Sequence, residues 1–180
     1  MADYVYKLSI NHNEKTIHDL YRTRYYTYEK IRMAARFSVG MLMIIAAVTL
    51  TLPIWARCLL LAGGAWFVAS PDFPAKVTAD KVVRARKEIF PKMEYEFFGD
   101  KFKISGESSM SIPYKKIIWL VHDKKYFYIF MNKDSVCMAE KESLSIQDTE
   151  NFMKFIEMKT GLKWRVQKSI LSMNIYDFKR

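Results

Sequence analysis

Apolar and polar residues alternate near the start of the chain, and this alternation predicts a short β-strand over 3–10. The apolar positions of this segment are Tyr4, Tyr6, Leu8 and Ile10. From Thr16 onward the apolar positions recur at helical spacing, which predicts a helix with Thr16 as N-cap and Asp19 completing a capping box. The other side of this helix is basic, so it suits either a water–lipid boundary or packing on a soluble domain.

The middle of the chain is strongly apolar. Residues 37–71 contain a single charged residue, Arg57. Because a bilayer core of about 30 Å needs roughly 20 helical residues, and Pro53 interrupts the stretch, we expect two membrane spans over 35–52 and 54–71. The connection over 53–57 is so short that the two helices must form an antiparallel hairpin. A buried helical hairpin in the core of a soluble protein is the alternative.

The residues that flank the apolar stretch predict its orientation. Trp55 and Arg57 lie in the connection, where an indole ring sits at the headgroup level and an arginine reaches toward it. Arg32 and Arg36 precede the first span, and five further basic residues follow the second span within 76–87. Since cytoplasmic flanks carry the excess of Lys and Arg, both termini are expected to be cytoplasmic. We therefore assign Trp55, Arg57, Arg32 and Arg36 to the membrane interface.

A polar, basic connector follows the apolar stretch over 72–91. Within it, a short helix is expected from Thr78 to about Glu88, with Pro91 ending it. The chain is thereby divided into an N-terminal strand and amphipathic helix, a transmembrane hairpin, the connector and a C-terminal domain. These segments are 1–34, 35–71, 72–91 and 92–180.

Strand signals separated by turns recur about every ten residues in the C-terminal domain, which is typical of an antiparallel meander. The predicted strands are 93–98, 101–105, 109–114, 117–122, 126–131 and 136–141. A helix capped by Ser145 or Asp148 follows, and Gly161 stops it. The tail over 165–180 fits a helix or a strand. The fold class is therefore α+β, a two-helix transmembrane hairpin plus an antiparallel β domain closed by a C-terminal helix.

Composition and charge narrow the class of protein. A chain of 180 residues is too short for a large multidomain enzyme, and 51% hydrophobic residues exclude a disordered chain. The net charge of +10 suits nucleic acid or an anionic membrane face. Because the basic excess is densest beside the apolar stretch, the membrane accounts for it, and we expect no nucleic-acid partner.

The cysteines and two of the histidines carry no recognisable site. Cys58 and Cys137 are the only cysteines and form no CxxC motif, which excludes a disulfide framework. His12 and His18 have no further ligand at the spacing of a metal site. We therefore expect neither a metal site nor a cofactor.

Candidate catalytic groups are few. Cys137 and His122 make a conceivable nucleophile and base if their strands are neighbours, but no local signature accompanies them. Glu94 and Glu96 share a strand face and resemble a carboxylate pair, although their flanks are those of an ordinary solvent-facing edge strand. We expect no catalytic residues and no enzymatic activity. A membrane-bound hydrolase would require Cys137 or these carboxylates to react.

The C-terminal half contains the Phe98 and Phe102 pair, the Ser108–Ser109 run, the block Ile112–Ile117, the strand Tyr126–Phe130, and Lys141 before the last helix. Together these motifs resemble the YcxB-like family of small bacterial membrane proteins. Members of that family also have an N-terminal strand and helix followed by two spans. The resemblance implies a pleckstrin-homology-like β domain and a multi-pass protein of the bacterial cytoplasmic membrane, and it implies no catalytic residues.

The hypothesis that follows is a non-enzymatic, membrane-anchored binding module. Its cytoplasmic domain would bind a protein partner or anionic lipid headgroups in addition to the bilayer itself. The candidate surface comprises Lys115, Lys116, Lys124 and Lys125, which lie at turns where pleckstrin-homology-like domains often hold basic loops. Charged turn residues that only keep the sheet soluble are the simpler interpretation. The alternative function is an immunity-type protein that protects against a membrane-active toxin.

Overall fold

In a computed structural model of the protein, residues 4–86, 90–106 and 108–168 are described. They form two compact units. The first contains the residues up to Leu20 together with Val82–Gln167, and the second contains Tyr21–Lys81. The fold class is α+β, as predicted, with two sheets built mainly of antiparallel pairs. The units differ from the predicted segments, because the N-terminal strand belongs with the C-terminal strands.

The first sheet has the strand order β1-β2-β3-β4. Its strands are β1 (Tyr6–Asn11), β2 (Lys92–Phe97), β3 (Lys101–Ser105) and β4 (Ser109–Pro113). All its pairs are antiparallel, and β1 places Leu8 opposite Tyr95 although some eighty residues separate them. One face buries Leu8, Tyr95 and Phe102, while the other carries charged side chains. This alternation is the sequence pattern that predicted the strands.

The second sheet has the order β7-β6-β5-β8. Its strands are β5 (Trp119–His122), β6 (Tyr126–Phe130), β7 (Val136–Glu140) and β8 (Trp164–Val166). The predicted single meander is wrong, because a 3-10 turn at Tyr114–Lys116 separates β4 from β5. The antiparallel prediction also fails at one pair, since β8 runs parallel to β5. Four consecutive residues of β6, from Phe127 to Phe130, are buried, so both faces of this strand are covered, as their apolar pattern predicts.

Helix α5 (Ile146–Thr160) supplies the centre of the first unit's core. Ser145 is its N-cap, with Oγ accepting a hydrogen bond from the Asp148 N–H, and Gly161 ends it at a φ of 69°. Glycine adopts this left-handed backbone conformation without strain because it has no Cβ. The ring of Phe152 is fully buried and lies 4.9 Å from that of Phe97 on β2 and 5.0 Å from that of Phe127 on β6. One aromatic side chain therefore packs against both sheets.

Helix α1 (Glu14–Tyr28) begins earlier than predicted. Asn13 is the capping residue, because its Oδ1 accepts from the Thr16 N–H at 3.0 Å while Thr16 Oγ1 accepts from the Asn13 N–H at 2.8 Å. The reciprocal pair is a capping box shifted by three residues. The prediction that Thr16 caps the helix and pairs with Asp19 is therefore wrong, because Thr16 already lies inside the first turn.

The apolar stretch forms two helices, α2 (Lys30–Thr49) and α3 (Ile54–Ala69). They pack as an antiparallel hairpin, with Gly40 against Gly64 and Leu50 beside Arg57. The predicted connection over 53–57 is misplaced. The turn comprises residues 50–53, and Pro53 caps α3, where its fixed φ suits a helix start.

The connector contains helix α4 (Phe73–Ala85), which starts five residues before the predicted Thr78. The Asp72 carbonyl accepts the first hydrogen bond, from the Lys76 N–H, and Pro74 is tolerated in the first turn. The predicted end near Glu88 lies outside the described residues. In the tail, Trp164–Val166 is a strand, whereas 169–180 lie outside the described residues.

Candidate functional site

The outward faces of α2 and α3 are apolar and exposed. Their exposed large side chains are Val39, Met41, Leu42, Ile45, Val48, Ile54, Trp55, Leu59, Leu61 and Trp66. Soluble monomers rarely expose a contiguous apolar patch of more than a few hundred Å². Leu42 is 64% exposed and Val48 is 72% exposed, so these side chains form an apolar surface and not the packed core of a soluble domain.

One helix among the described residues, α2, is long and apolar enough by length and composition to cross a membrane. Only 17% of its apolar window is buried within the protein. Helix α3 has 16 residues and passes the same test only together with α4, from which it is bent by 66°. The sequence therefore supports one candidate span, or two if the bent pair counts as one.

Two glycines allow the hairpin helices to approach closely. A Cβ on Gly40 would lie 2.9 Å from the Gly64 carbonyl oxygen, and a Cβ on Gly64 would lie 2.8 Å from the Gly40 carbonyl oxygen. Each contact involves backbone, which cannot swing away as a flexible side chain would. Small residues thus let the two backbones touch, which is the packing that helices use in a membrane.

Trp55 and Arg57 lie near the turn of the hairpin, within the first turn of α3 and not in the connection where they were predicted. The Trp55 side chain is 66% exposed. Arg57 Nη2 donates a hydrogen bond to the Leu50 carbonyl oxygen at 3.1 Å, and the same oxygen accepts from the Leu52 N–H at 3.0 Å. The Arg57 guanidinium is thereby tied to the turn of the hairpin.

Arg32 and Arg36 lie one turn apart near the start of α2 but have different surroundings. The exposed Arg32 pairs through Nε with Glu29 Oε2 at 3.2 Å. The Arg36 guanidinium instead lies over two rings of α3, with Cζ at 5.5 Å from the Trp66 centroid and 4.9 Å from the Phe67 centroid. The sequence identified both residues as basic flanks, and only packing of α2 on α3 distinguishes them.

The four candidate lysines do not form one surface. Lys115 and Lys116 lie in the 3-10 turn before β5, and Lys124 and Lys125 lie in the turn after it. Because β5 and its flanking residues are extended, the two pairs are separated by about 20 Å along the strand. All four side chains are exposed. The two pairs therefore lie at opposite ends of β5.

Lys141, His122 and Asp123 form a cluster beside Lys124 and Lys125. We call these three residues the Lys141 cluster. Lys141 Nζ donates to the Asp123 carbonyl oxygen and lies 3.0 Å from His122 Nδ1. The same ammonium lies 4.8 Å from the centroid of the Phe127 ring. The Lys141 N–H donates to the Lys125 carbonyl oxygen at 2.9 Å, so the basic turn is tied to the end of β7.

Asp123 organises the turn that carries Lys124 and Lys125. Its Oδ1 accepts from the backbone N–H groups of Lys125 and Tyr126, both at 2.7 Å, and its Oδ2 accepts from the Tyr128 hydroxyl at 2.8 Å. Such an Asx turn holds the backbone in a single conformation. The cluster therefore presents the Lys124 and Lys125 side chains from a rigid base.

Burial governs protonation in the Lys141 cluster. Burial lowers the pKa of His122, and the adjacent Lys141 charge lowers that pKa further. Burial also lowers the pKa of Lys141, against the opposing charge of Asp123. A neutral His122 accepts a hydrogen bond from the ammonium through Nδ1, whereas a protonated His122 would place two cations in contact. The sequence singled out Lys141 only as a motif residue, and its partners come from β5, from β6 and from the turn between them.

The conceivable Cys137 and His122 pair is not assembled. The register places His122 opposite Phe127 and, across β6, Ala139, whereas Cys137 lies opposite Ile129. Two strand spacings and a two-residue offset put their Cα atoms about 12 Å apart. Burial raises the pKa of Cys137 to about 12, so its thiol is protonated and is not an activated nucleophile.

Glu94 and Glu96 lie on β2, which is an interior strand of the first sheet and not the predicted edge. Glu94 pairs with Lys7 at 2.8 Å and with Lys92 at 3.0 Å. Hydrogen bonds from these lysines lower the pKa of Glu94 to about 2. Glu96 lies 3.9 Å from Lys103. The two carboxylates thus belong to a cross-strand ladder of ion pairs and do not form an acid–base pair.

Comparison of the chain with protein-family models, with curated proteins and with solved structures gives no match.

Proposed function

We propose that this protein is a membrane-anchored, non-enzymatic binding module. The α2–α3 hairpin inserts into the bacterial cytoplasmic membrane, and the first unit is displayed on the cytoplasmic side. There it presents the Lys124–Lys125 turn, held by the Lys141 cluster, to anionic lipid or to an acidic surface of a partner protein. The exposed apolar faces of α2 and α3 carry this proposal.

The energetics of these faces support insertion. A fully buried Leu, Ile or Val side chain contributes about 1.5–3 kcal/mol relative to an exposed one. The ten exposed side chains named above for α2 and α3, seven of which are Leu, Ile or Val and each of which is about half exposed, amount to on the order of 10 kcal/mol when lipid replaces water. This apolar surface would be a severe aggregation hazard in water, whereas it is favourable in a bilayer.

The flanking charges support a cytoplasmic location for both termini. Lys30, Arg32 and Arg36 lie at the start of α2, and α4 continues the basic flank after α3. The turn of the hairpin offers only Arg57, which is bound to the Leu50 carbonyl. An excess of Lys and Arg on one side sets the orientation of short membrane hairpins, with the basic side in the cytoplasm.

The topology of the first unit is consistent with a pleckstrin-homology-like fold and with membership of the YcxB-like family. A four-stranded antiparallel sheet, three further antiparallel strands and a C-terminal helix occur in that order, apart from the short parallel strand β8. Helices α1 to α4 lie between β1 and β2 in the chain. We therefore propose that the first unit has a pleckstrin-homology-like fold.

Alkaline carbonate extraction of bacterial membranes tests the anchor, and thiol labelling tests the orientation. Buried Cys137 would resist labelling on either side of the membrane, so a reporter is placed at Gly99, which has open space around it, in a Cys58→Ser background. We expect Gly99→Cys to react with an impermeant maleimide only after lysis. A matched Thr51→Cys in the hairpin turn should react in intact cells.

Release of the protein by carbonate would overturn the membrane anchor. Labelling of Gly99→Cys in intact cells would overturn the cytoplasmic orientation, while the anchor itself would stand. For the binding surface, flotation with vesicles that contain phosphatidylglycerol compares Lys124→Gln/Lys125→Gln with Lys115→Gln/Lys116→Gln, which have the same charge change at the opposite end of β5. Equal losses would refute a surface localised at the Lys124–Lys125 turn.

A further inference from the structure

Arg36 has a guanidinium edge that no described residue satisfies. Its Nε and Nη2 atoms are buried and make no hydrogen bond within the described part of the chain. These two nitrogens form one edge of the planar guanidinium, and such an edge makes two parallel hydrogen bonds to two oxygens of one anion. A buried donor without an acceptor is unfavourable, and more so when it is charged.

Two neighbouring arginines of the second unit show how this requirement is otherwise met. Arg22 Nε donates to Asp72 Oδ2 at 2.7 Å, and Arg32 Nε pairs with Glu29 Oε2 at 3.2 Å. Arg57 donates through Nη2 to the Leu50 carbonyl oxygen, while its buried Nε has no partner among the described residues. Arg36 differs from these three because its charge rests on the rings of Trp66 and Phe67. Aromatic faces hold a guanidinium in place without using its N–H groups.

A second polar group without an acceptor lies within electrostatic reach of Arg36. The Tyr25 hydroxyl is buried and makes no hydrogen bond to a described residue. Burial raises the pKa of Tyr25, and the positive charge of Arg36 opposes that rise. The hydroxyl therefore stays protonated and remains a donor. The Arg36 edge and the Tyr25 hydroxyl are thus two buried donors without an acceptor among the described residues, and an anion accepts hydrogen bonds from donors of both kinds.

The depth of Arg36 along α2 indicates which anion is available. Arg36 lies six residues from Lys30, or about 9 Å along the helix, and the whole of α2 spans about 30 Å. In a bilayer this position is at the boundary between headgroups and acyl chains. Arginine at such a depth draws phosphate groups and water toward itself. The planar fork matches phosphate oxygens well.

We propose that Arg36, seated on Trp66 and Phe67, binds the phosphate group of a phospholipid through Nε and Nη2. The inference rests on the proposed function, because it requires the hairpin to lie in a membrane. It assigns a defined headgroup site to the cytoplasmic end of the hairpin. Lipid bound there would hold α1, α2 and α3 together at the water–lipid boundary.

Native mass spectrometry of the full chain, released from micelles that contain phosphatidylglycerol, measures retained lipid directly. We expect Arg36→Gln to lower retention by about tenfold or more, the loss expected when two charge-assisted hydrogen bonds disappear. Arg32→Gln is the matched control, since it removes the same charge from an exposed side chain that lies one helical turn from Arg36. The amount of lipid that this variant retains should stay within about twofold of the amount that the original protein retains.

Arg36→Lys separates geometry from charge, because it keeps the cation and loses the planar fork. Retention between those of the original protein and Arg36→Gln supports the phosphate fork. Equal retention by Arg36→Gln and the original protein refutes the site, and so does an equal loss in Arg32→Gln, which would indicate diffuse attraction. If Arg36→Gln does not fold, Arg36→Lys and Tyr25→Phe decide, and unchanged retention in both overturns the proposal.

Free phosphate is the other source of the same chemistry. Inorganic phosphate at millimolar concentration should not displace the lipid, and displacement would overturn the assignment to a phospholipid. Carbonate extraction of the same variants tests the anchor separately. Membrane-embedded Arg36→Gln that retains lipid normally would refute the phosphate site alone, whereas release of the original protein would refute the anchor.

Discussion

Replacing Leu42 by lysine places a charge in the middle of the outward face of α2. The Leu42 side chain is 64% exposed, and it lies about 10 Å from the nearer end of the helix. At the centre of a membrane helix leucine contributes about −0.3 to −0.6 kcal/mol to insertion and lysine costs about 2.5–3.5 kcal/mol. The substitution should therefore disfavour insertion by about 3–4 kcal/mol, or roughly 100- to 1000-fold.

The same substitution has almost no cost if this face lies in water, since exposed surface changes usually alter stability by less than about 0.5 kcal/mol. The carbonate-resistant fraction of the full chain in bacterial membranes measures the difference. Ile31→Lys is the control, because Ile31 is 77% exposed but lies in the first turn of α2, where a lysine reaches the headgroups. Equal resistance of Leu42→Lys, Ile31→Lys and the original protein would refute the lipid-facing assignment of α2.

Three further predictions concern the packing and protonation of the folded chain in detergent micelles. Phe152→Ala should lower the free energy of unfolding by about 3–5 kcal/mol in chemical denaturation, and Phe155→Ala, which is only partly buried, should cost less. Gly64→Val should lower the thermal midpoint, because its Cβ meets the backbone of α2, whereas Val at the exposed Ala65 should not. The pKa of His122 in the folded protein lies below the ordinary 6.5, so the unfolded chain binds the proton first and stability should fall as the pH drops below about 6.5. His122→Gln should reduce that dependence in thermal melts between pH 7.5 and 5. Equal effects of Phe152→Ala and Phe155→Ala, an unchanged midpoint for Gly64→Val, or identical pH profiles with and without His122 would each contradict the corresponding contact.

The strands were predictable from local pattern because side-chain alternation and turn residues are properties of adjacent positions. Each predicted strand of the C-terminal half matches an observed strand to within about two residues at either end. The pairing of the strands was harder to predict. Strand β2 pairs with β1, from the other end of the chain, as well as with β3. The turn at Tyr114–Lys116 divides the strands into two sheets. Both depend on contacts between distant segments.

The helix starts show the same limit at smaller scale. Thr16 and Thr78 are both of a residue type that commonly caps helices, yet Asn13 caps α1 and α4 begins at Phe73. Several polar residues in a row can each satisfy the first N–H groups of a helix. Which of them does so depends on where packing places the preceding chain.

The apolar stretch and its interruption at Pro53 are features of the residue order, so the helical hairpin could be derived without coordinates. The functional details could not be derived in this way. Arg36 differs from Arg32 only because α3 places Trp66 and Phe67 beneath it, and Lys141 meets His122 only because β6 aligns β5 with β7. Patterns of hydropathy and charge involve residues that are adjacent in the chain, so they can be recognised in the sequence. Hydrogen bonds and ring contacts extend a few Å in space, so their partners become known only when the chain has folded.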